Sequence, residues 1–220
     1  MSPVLEWDKA EERIFELGVD RGVFYPYDQQ TGEYLEGVVW NGLINVTEKS
    51  AGGEDNKQYA DNIVYANIRS EAEFEASIEA FTYPDEMSEC DGTSQPEVGV
   101  FIGQQLRKPF GFSYRTKIGN NNDNLDFGYK VHMVWGATPE PTEKSRDTIN
   151  DSPEASTFTW DLATEKVPVT GRKPTAHMWV DSTKVAPAEL EALEDLLYGS
   201  DSESASFPTP DEVLALFTTP

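Results

Sequence analysis

The chain has 220 residues, 38% of them hydrophobic and 11% aromatic, which is enough for a sizeable core in one large β domain or in two small ones. Forty acidic residues against seventeen basic ones give a formal net charge of −23, which argues against a protein that grips nucleic acid by neutralising phosphates. The acidic residues run from Glu6 to Glu212 instead of forming a tail, so they describe an anionic surface.

Cysteine usage and the N-terminal sequence indicate folding inside a cell. Cys90 is the single cysteine, so an intramolecular disulfide is impossible. The first residues lack the basic and apolar regions of a signal peptide, and no run is long enough to span a bilayer. We therefore expect a soluble protein that is not inserted into a membrane.

The first third of the sequence alternates strand-like runs with polar connectors. Residues 1–17 form an acidic arm or short helix, in which Trp7, Ile14 and Leu17 recur near helical spacing. Strand-like runs follow near residues 19–25, 38–46 and 62–68. The connector from Lys49 to Lys57 is long for a β-loop in a compact domain, so we expect it to be a contact element.

Residues 73–83 (EFEASIEAFTY) fit either a strand or a helix, because both period two and alanines at every fourth position are present. We assign a strand, since Thr82 and Tyr83 favour sheets and Pro84 ends the run. A polar loop containing Cys90 follows.

The middle of the chain predicts a β-hairpin. Residues 110–118 (FGFSYRTKI) and 128–135 (GYKVHMVW) each alternate apolar and polar side chains. Residues 119–124 (GNNNDN) lie between them and tolerate positive φ. We expect a polar loop to begin at Gly136, and further strands near 156–162 and 175–181, seven to nine in all.

The C-terminal part predicts two helices. Residues 187–199 (PAELEALEDLLYG) have proline in the first turn, leucines on one side and glycine as the stop. A Ser/Asp linker over residues 200–206 leads to residues 209–217 (TPDEVLALF), which have a capping threonine, then proline and an acidic first turn.

A search for catalytic or metal-binding patterns finds none, so we expect no enzyme activity, cofactor or metal. A zinc site needs three or four nitrogen or sulfur ligands, and Cys90, His132 and His177 would be the entire supply. Both histidines fit packed or surface strand positions. Asn122, Asn124 and Asp126 alternate as in a calcium loop, but glycine arrives one place late and Met133 stands where a glutamate is required.

Short sequences along nearly the whole chain resemble the major tail proteins, or tail tube subunits, of long-tailed, non-contractile bacteriophages. They are specific in combination, although each is short. They are 18–25 (GVDRGVFY), 39–43 (VWNGL), 59–62 (YADN), 79–86 (EAFTYPDE), 100–120 (VFIGQQLRKPFGFSYRTKIGN), 126–137 (DFGYKVHMVWGA), 148–155 (TINDSPEA), 181–184 (DSTK) and 196–199 (LLYG).

The resemblance implies a mainly β fold, a β-sandwich or partly open barrel of tail-tube type with a flanking helix at about 187–198 and a short C-terminal helix. It implies an N-terminal arm over residues 1–17, the tail-tube domain over 18–199 and a C-terminal segment over 200–220. Such subunits form hexameric rings stacked into a hollow tube, whose inner barrel closes the sheet edges.

The implied partners are further copies of the chain, a tape measure protein in the lumen, and tail terminator and tail tip proteins. The chain would be assembled in the bacterial cytoplasm, would reside in the virion tail, and would let double-stranded DNA pass without specific binding. Carboxylates lining the lumen would repel the DNA and keep it mobile. Solubility is the simpler explanation of the acidic surface.

Two sets of residues are predicted contact sites in such a tube. The inter-ring loop comprises Lys49, Gly52, Gly53, Glu54, Asp55 and Lys57, and the basic contacts between subunits are Arg107, Lys108 and Arg115. An acidic β-sandwich binding module of a tail tip or cell surface is the alternative, and it would expose an aromatic patch for its ligand.

Overall fold

Strands dominate the fold, as the sequence predicts. The computed structural model describes residues 4, 7, 9, 13–146, 148–149, 151 and 155–218. The elements in chain order are β1 (Ile14–Asp28), β2 (Glu33–Tyr34), β3 (Val38–Trp40), β4 (Leu43–Gly52), β5 (Asp55–Ala60), β6 (Ile63–Arg69), β7 (Ala72–Ala80), α1 (Met87–Cys90), β8 (Ser94–Glu97), β9 (Val100–Ile102), β10 (Phe110–Asn120), β11 (Asn124–Pro139), β12 (Phe158–Thr164), β13 (His177–Asp181), α2 (Pro187–Tyr198) and α3 (Pro210–Leu216). The mainly β class is confirmed.

Nine strands form one antiparallel sheet in the order β2-β1-β10-β11-β12-β7-β4, with β3 beside β1 and β13 beside β11. One edge of β11 is shared, because residues 130–134 pair with β13 and residues 137–139 pair with β12. The sheet therefore divides at β11 into two branches. The strands β12, β7 and β4 form one branch, which packs over the other.

Side chains of β11 alternate between two cores, as period two requires. Val131, Met133 and Trp135 pack in a cluster with leucines of α2, whereas Val134 and Ala137 belong to a cluster with residues of β7 and β12. The strands around β11 are thus covered by helices on one face and by the second branch on the other.

Hydrogen bonds fasten the two C-terminal helices to the sheet. The Tyr25 hydroxyl in β1 donates to the backbone oxygen of Leu197 at 2.7 Å. The indole nitrogen of Trp135 donates to the Pro208 oxygen at 2.9 Å, just before α3. Both helices begin with proline at an early position, as the sequence predicts. None of the helices described is long and apolar enough to cross a membrane.

The central hairpin is confirmed, but its second strand continues further than predicted. β10 and β11 pair antiparallel around residues 120–124. Gly136 does not begin a loop. It adopts a positive φ of 59° at an irregularity in the pairing, and the strand then continues to Pro139 beside β12. Glycine here marks a bulge instead of a strand end.

Two smaller expectations also need correction. Cys90 ends the short helix α1 instead of lying in a loop. Ile14 and Leu17 belong to strand β1, so the weak helical spacing there was misleading. Residues 1–3, 5–6, 8 and 10–12 of the predicted N-terminal arm lie outside the described residues, so the arm stays a prediction. The same holds for residues 150 and 152–154 of one resembling sequence and for residues 219–220 of the C-terminal segment.

Candidate functional site: a projecting β-arm and a buried histidine pair

Strands β4 to β7 form one long antiparallel hairpin whose outer half leaves the main sheet. β4 pairs with β7 from Leu43 opposite Ala80 to Gly52 opposite Ala72. β5 and β6 continue the hairpin as a two-stranded sheet of their own. We call residues 53–71 the arm. The turn at its tip is Asp61-Asn62, and both residues have positive φ, as a two-residue hairpin turn requires.

The predicted inter-ring loop is the root of this arm and not a loop. Lys49 and Gly52 lie in β4, Asp55 and Lys57 lie in β5, and only Gly53 and Glu54 connect the strands. Gly52 and Gly53 have φ values of 70° and 74°. A Cβ on Gly52 would lie 2.5 Å from the backbone oxygen of Glu71. The paired glycines that suggested a loop instead make the bend between the two halves of the hairpin.

The tip of the arm exposes an unusual amount of apolar surface. Tyr59 is 70% exposed and Tyr65 is 75% exposed, and the others with large exposed apolar side chains are Ile63, Val64 and Ile68. Tyr59 lies opposite Val64, and Tyr65 is the extra residue of a bulge next to that pair. Exposed apolar side chains concentrated on two paired strands mark a candidate interaction site.

The arm tip is also nearly free of charge in a strongly acidic chain. Between Gln58 and Ile68 the one charged residue is Asp61. Exposed strands normally carry charges or prolines that prevent pairing with other chains. Between these two residues the tip has no proline, and its single charge, Asp61, lies in the turn, which favours a surface that is covered by a partner.

The three predicted basic contacts each bind an acid of the same chain. Arg115 donates to both carboxylate oxygens of Asp20, at 2.7 and 2.9 Å, and its guanidinium lies over the Tyr129 ring. The hydrogen bond from Arg115 lowers the Asp20 pKa. The other two basic contacts pair Lys108 with Glu89 at 2.6 Å and Arg107 with Asp91 at 3.8 Å. Contacts between subunits remain a prediction for all three.

A second group of polar residues lies at the base of the arm, between the two branches of the sheet. Glu48 of β4 reaches His132 of β11 and His177 of β13. We call these three residues the histidine cluster. His132 is buried and His177 is partly buried, whereas 39% of the Glu48 side chain is exposed. Cys90, the third zinc ligand considered from sequence, is not part of this cluster.

Stacked aromatic rings and hydrogen bonds position the cluster. Tyr114 stacks on His132 with ring centres 4.6 Å apart, and its hydroxyl donates to Glu48 Oε1 at 2.6 Å. Phe74 stacks on His177 at 4.4 Å. The hydrogen bond with His132 lowers the Glu48 pKa to about 2, and burial lowers the His177 pKa to about 4. The cluster therefore contains an ionised carboxylate and a neutral His177 at neutral pH.

Neither the projecting arm nor the histidine cluster was predicted from the sequence, because both depend on contacts between distant parts of the chain. His132 lies opposite Trp179 in the β11–β13 pairing, which makes His177 its diagonal neighbour on the same face. That register, and the folding of β4 over β11, depend on distant parts of the chain. The alternating pattern of residues 128–135 already placed His132 on the same face as Val134. That was the only sequence feature that pointed to the position of His132 in the cluster.

Comparison with known proteins gives little further information. No protein family and no curated protein matches this sequence. Among solved structures, a chain in the cryo-EM structure of the anti-feeding prophage baseplate, 6-fold symmetrised, is similar with a TM-score of 0.36 and 8% sequence identity. The match covers 75% of this chain and 95% of that chain. A TM-score this low does not establish a shared fold, so we draw no functional conclusion from it.

Proposed function

We propose that this chain is a structural virion protein, a tail tube subunit that polymerises as stacked hexameric rings and forms a conduit for DNA. The observation that carries the proposal is the arm tip, with its exposed Tyr59, Ile63, Val64, Tyr65 and Ile68. The resemblance of the sequence to major tail proteins supports the same function.

An isolated arm is expected to be unstable in water, which favours self-assembly. A two-stranded hairpin in water is marginally stable at best. Full burial of a side chain such as Ile63 or Val64 contributes roughly 1.5–3 kcal/mol. Packing against a second copy therefore both stabilises the arm and provides a driving force for association. A repeating head-to-tail contact of this kind builds rings and stacks of rings.

The open strand β4 offers a second contact for a neighbouring copy. It is the last strand in the order of the main sheet, and among the described residues it pairs on one side with β7. Adding strands from the next subunit would satisfy its free backbone groups and close the sheets of a ring into a barrel. In this proposal Lys49, Gly52, Gly53, Glu54, Asp55 and Lys57 lie at the root of the arm and bridge rings.

The acidic surface fits a conduit through which DNA slides. Carboxylates facing the lumen repel the phosphate backbone and keep the DNA from adhering. The same lumen would hold the tape measure protein during assembly, and terminator and tip proteins would close the two ends. Replacing lumen acids with lysine should slow genome ejection from intact tails. Normal ejection by such tails would contradict this role for the charge.

Negative-stain microscopy of the purified chain tests the proposal directly. Wild-type protein is expected to form rings or tubes. The double variant Val64→Ser, Tyr65→Ser should remain folded by circular dichroism and fail to polymerise, because it loses the apolar surface of the tip. Asn67→Ser on the same exposed strand is the matched control and should still form tubes.

Two results would reject the proposal. Polymerisation by the double variant would show that the arm tip is not the contact. Wild-type protein that stays monomeric at high concentration and instead binds a ligand through the exposed tyrosines would favour the acidic binding module of a tail tip or cell surface.

A further inference from the structure

The histidine cluster has the ligand types and the spacing of a metal site. Glu48 Oε1 lies 3.2 Å from His132 Nδ1 and 3.9 Å from His177 Nε2. The two histidine nitrogens are 3.3 Å apart. Two zinc bonds of about 2.0–2.1 Å that meet at a tetrahedral angle separate their ligand atoms by about 3.3 Å. Two of the three separations therefore already match those of ligands around one ion, and the Glu48–His177 separation of 3.9 Å must shorten for both to bind it.

The hydrogen bonds of His132 direct a lone pair into this space. The Thr116 hydroxyl donates its single proton to Glu16 at 2.5 Å. The bond of 3.0 Å between Thr116 and His132 Nε2 must then be donated by the imidazole. In a neutral His132 the proton is on Nε2, and Nδ1 faces Glu48 and His177 as an acceptor.

With the proton on Nε2, two electron-pair donors lie side by side, so a cation must lie between them. That cation can be a proton on His132 Nδ1, which would form the hydrogen bond to Glu48 described above, or a metal ion that replaces it. The Glu48 carboxylate already accepts a hydrogen bond from Tyr114, and it faces the lone pair of His132 at 3.2 Å. His177 Nε2–H can donate a hydrogen bond to His132 Nδ1. His177 Nε2 is 3.9 Å from Glu48 Oε1, however, which is too far for a second hydrogen bond. An ion between the three atoms satisfies all of them at once.

We propose that Glu48, His132 and His177 bind a divalent transition-metal ion, Zn²⁺, with water in the fourth position. Two imidazoles and a carboxylate are ligands that zinc accepts, whereas Mg²⁺ prefers oxygen ligands throughout. The partly exposed Glu48 gives the ion its route from solvent. The site is independent of the proposed function.

Binding requires small rearrangements that the cluster permits. The ring centres of His132 and His177 are 5.6 Å apart with planes inclined by 7°, and their nitrogens face each other on the line between the centres. Both rings must turn to aim at one point beside Glu48, and His177 must carry its proton on Nδ1. Tyr114, Thr116 and Phe74 support the ligands from behind, as outer partners do in metal sites.

A bound ion would join three strands that are distant in the chain. Glu48 lies at the base of the arm, and the histidines lie in the middle of the fold. Zinc would thus fix the β4 branch to β11 and β13. Because the ion binds the folded chain, it would raise the melting temperature, and the rise would grow with the logarithm of the free zinc concentration once that exceeds the dissociation constant.

Zinc titration of the untagged full-length chain, after removal of metals with EDTA, tests the site. Isothermal calorimetry should give one saturable site per chain, and the melting temperature should rise with Zn²⁺ but not with Mg²⁺. Glu48→Gln and His177→Gln should each weaken the affinity at least tenfold, and Tyr114→Phe should weaken it about tenfold. The control Glu73→Gln removes an exposed acid of the neighbouring strand and should leave the affinity unchanged.

The fold of each variant is checked by circular dichroism. If His177→Gln does not fold, Glu48→Gln decides the test, because its amide oxygen can still accept the Tyr114 hydrogen bond. Zinc-edge X-ray absorption should count two imidazole ligands. Absence of saturable binding would overturn the proposal, and so would several weak sites that the Glu48 and His177 variants leave unchanged, since surface carboxylates would then hold the ion.

Discussion

At the scale of single residues, burial decides which side chains can react with solutes and which ion pairs contribute to stability. Cys90 is 3% exposed at the end of α1, and burial raises the pKa of its thiol to about 12. The sequence excluded an intramolecular disulfide for Cys90, and the structure shows that its thiol is also shielded from solvent. Arg115 and Asp20 form a partly buried pair, whereas Arg69 and Asp55 form a similar pair on the exposed arm.

Cys90 should resist alkylation in the folded protein. At pH 8 a thiol with a raised pKa stays protonated, and the thiolate is the reactive form. Iodoacetamide labelling followed by mass spectrometry should show almost no modification of the native chain and full modification in denaturant. Rapid labelling of the native chain would mean that α1 opens readily.

The two arginine–aspartate pairs should differ in their contribution to stability. Asp20→Asn leaves the mostly buried Arg115 guanidinium without its charged partner, so the free energy of unfolding should fall by about 1 kcal/mol after allowance for solvent screening. Asp55→Asn should cause no measurable change, since that pair is exposed. Urea unfolding at pH 7 measures both, and equal effects would contradict the assignment.

The stabilisation by the Asp20–Arg115 pair depends on pH, because the Asp20 pKa is lower in the folded than in the unfolded chain. Arg115 lowers the Asp20 pKa below its ordinary value of 3.8, so the folded state binds the proton less readily than the unfolded state. The stabilisation is complete above about pH 4 and is lost as the pH falls through the lowered pKa. The difference in stability between wild type and Asp20→Asn should therefore shrink below pH 4.

At the scale of elements, local sequence signals were reliable where capping residues, proline or glycine set the ends of a helix. The predicted helix over 187–198 is α2 (Pro187–Tyr198), and α3 begins directly after the capping residue Thr209. Thr209 and Glu212 form a reciprocal capping box. The predicted loop from Lys49 to Lys57 was wrong as a structure, because its two glycines bend a hairpin that continues.

Removing the cap of α3 should destabilise the protein. Thr209→Ala deletes the hydroxyl that accepts from the Glu212 amide, and such caps contribute about 0.5–2 kcal/mol. Thr218→Ala, beyond the other end of the helix, should have little effect. Chemical denaturation followed by tryptophan fluorescence makes the comparison, since Trp135 bonds to Pro208 just before the helix. Equal losses would argue against a role for the cap.

At the scale of the whole molecule, charge and exposed apolar surface oppose each other. A net charge of −23 makes copies of the chain repel one another, while the arm tip favours their association. The balance between the two terms depends on ionic strength, because salt screens the repulsion and leaves apolar burial largely intact.

Self-assembly, as proposed, should become easier with salt. Raising the ionic strength from 0.01 to 0.15 M shortens the Debye length from about 30 to about 8 Å, which screens repulsion between neighbouring subunits. The concentration needed for polymerisation, measured by light scattering and sedimentation, should therefore fall. A rise would indicate that ion pairs between subunits dominate, which is the role predicted for Arg107, Lys108 and Arg115.

The sequence by itself determined the mainly β class, the central hairpin, both C-terminal helices and the anionic surface. These depend on side-chain periodicity, on residues that cap or break elements, and on composition, all of which act locally. The tertiary structure decided that the arm leaves the sheet and that Glu48 meets His132 and His177. Strand register and the packing of one branch over another decide such contacts, and they join residues that are 45 or more positions apart.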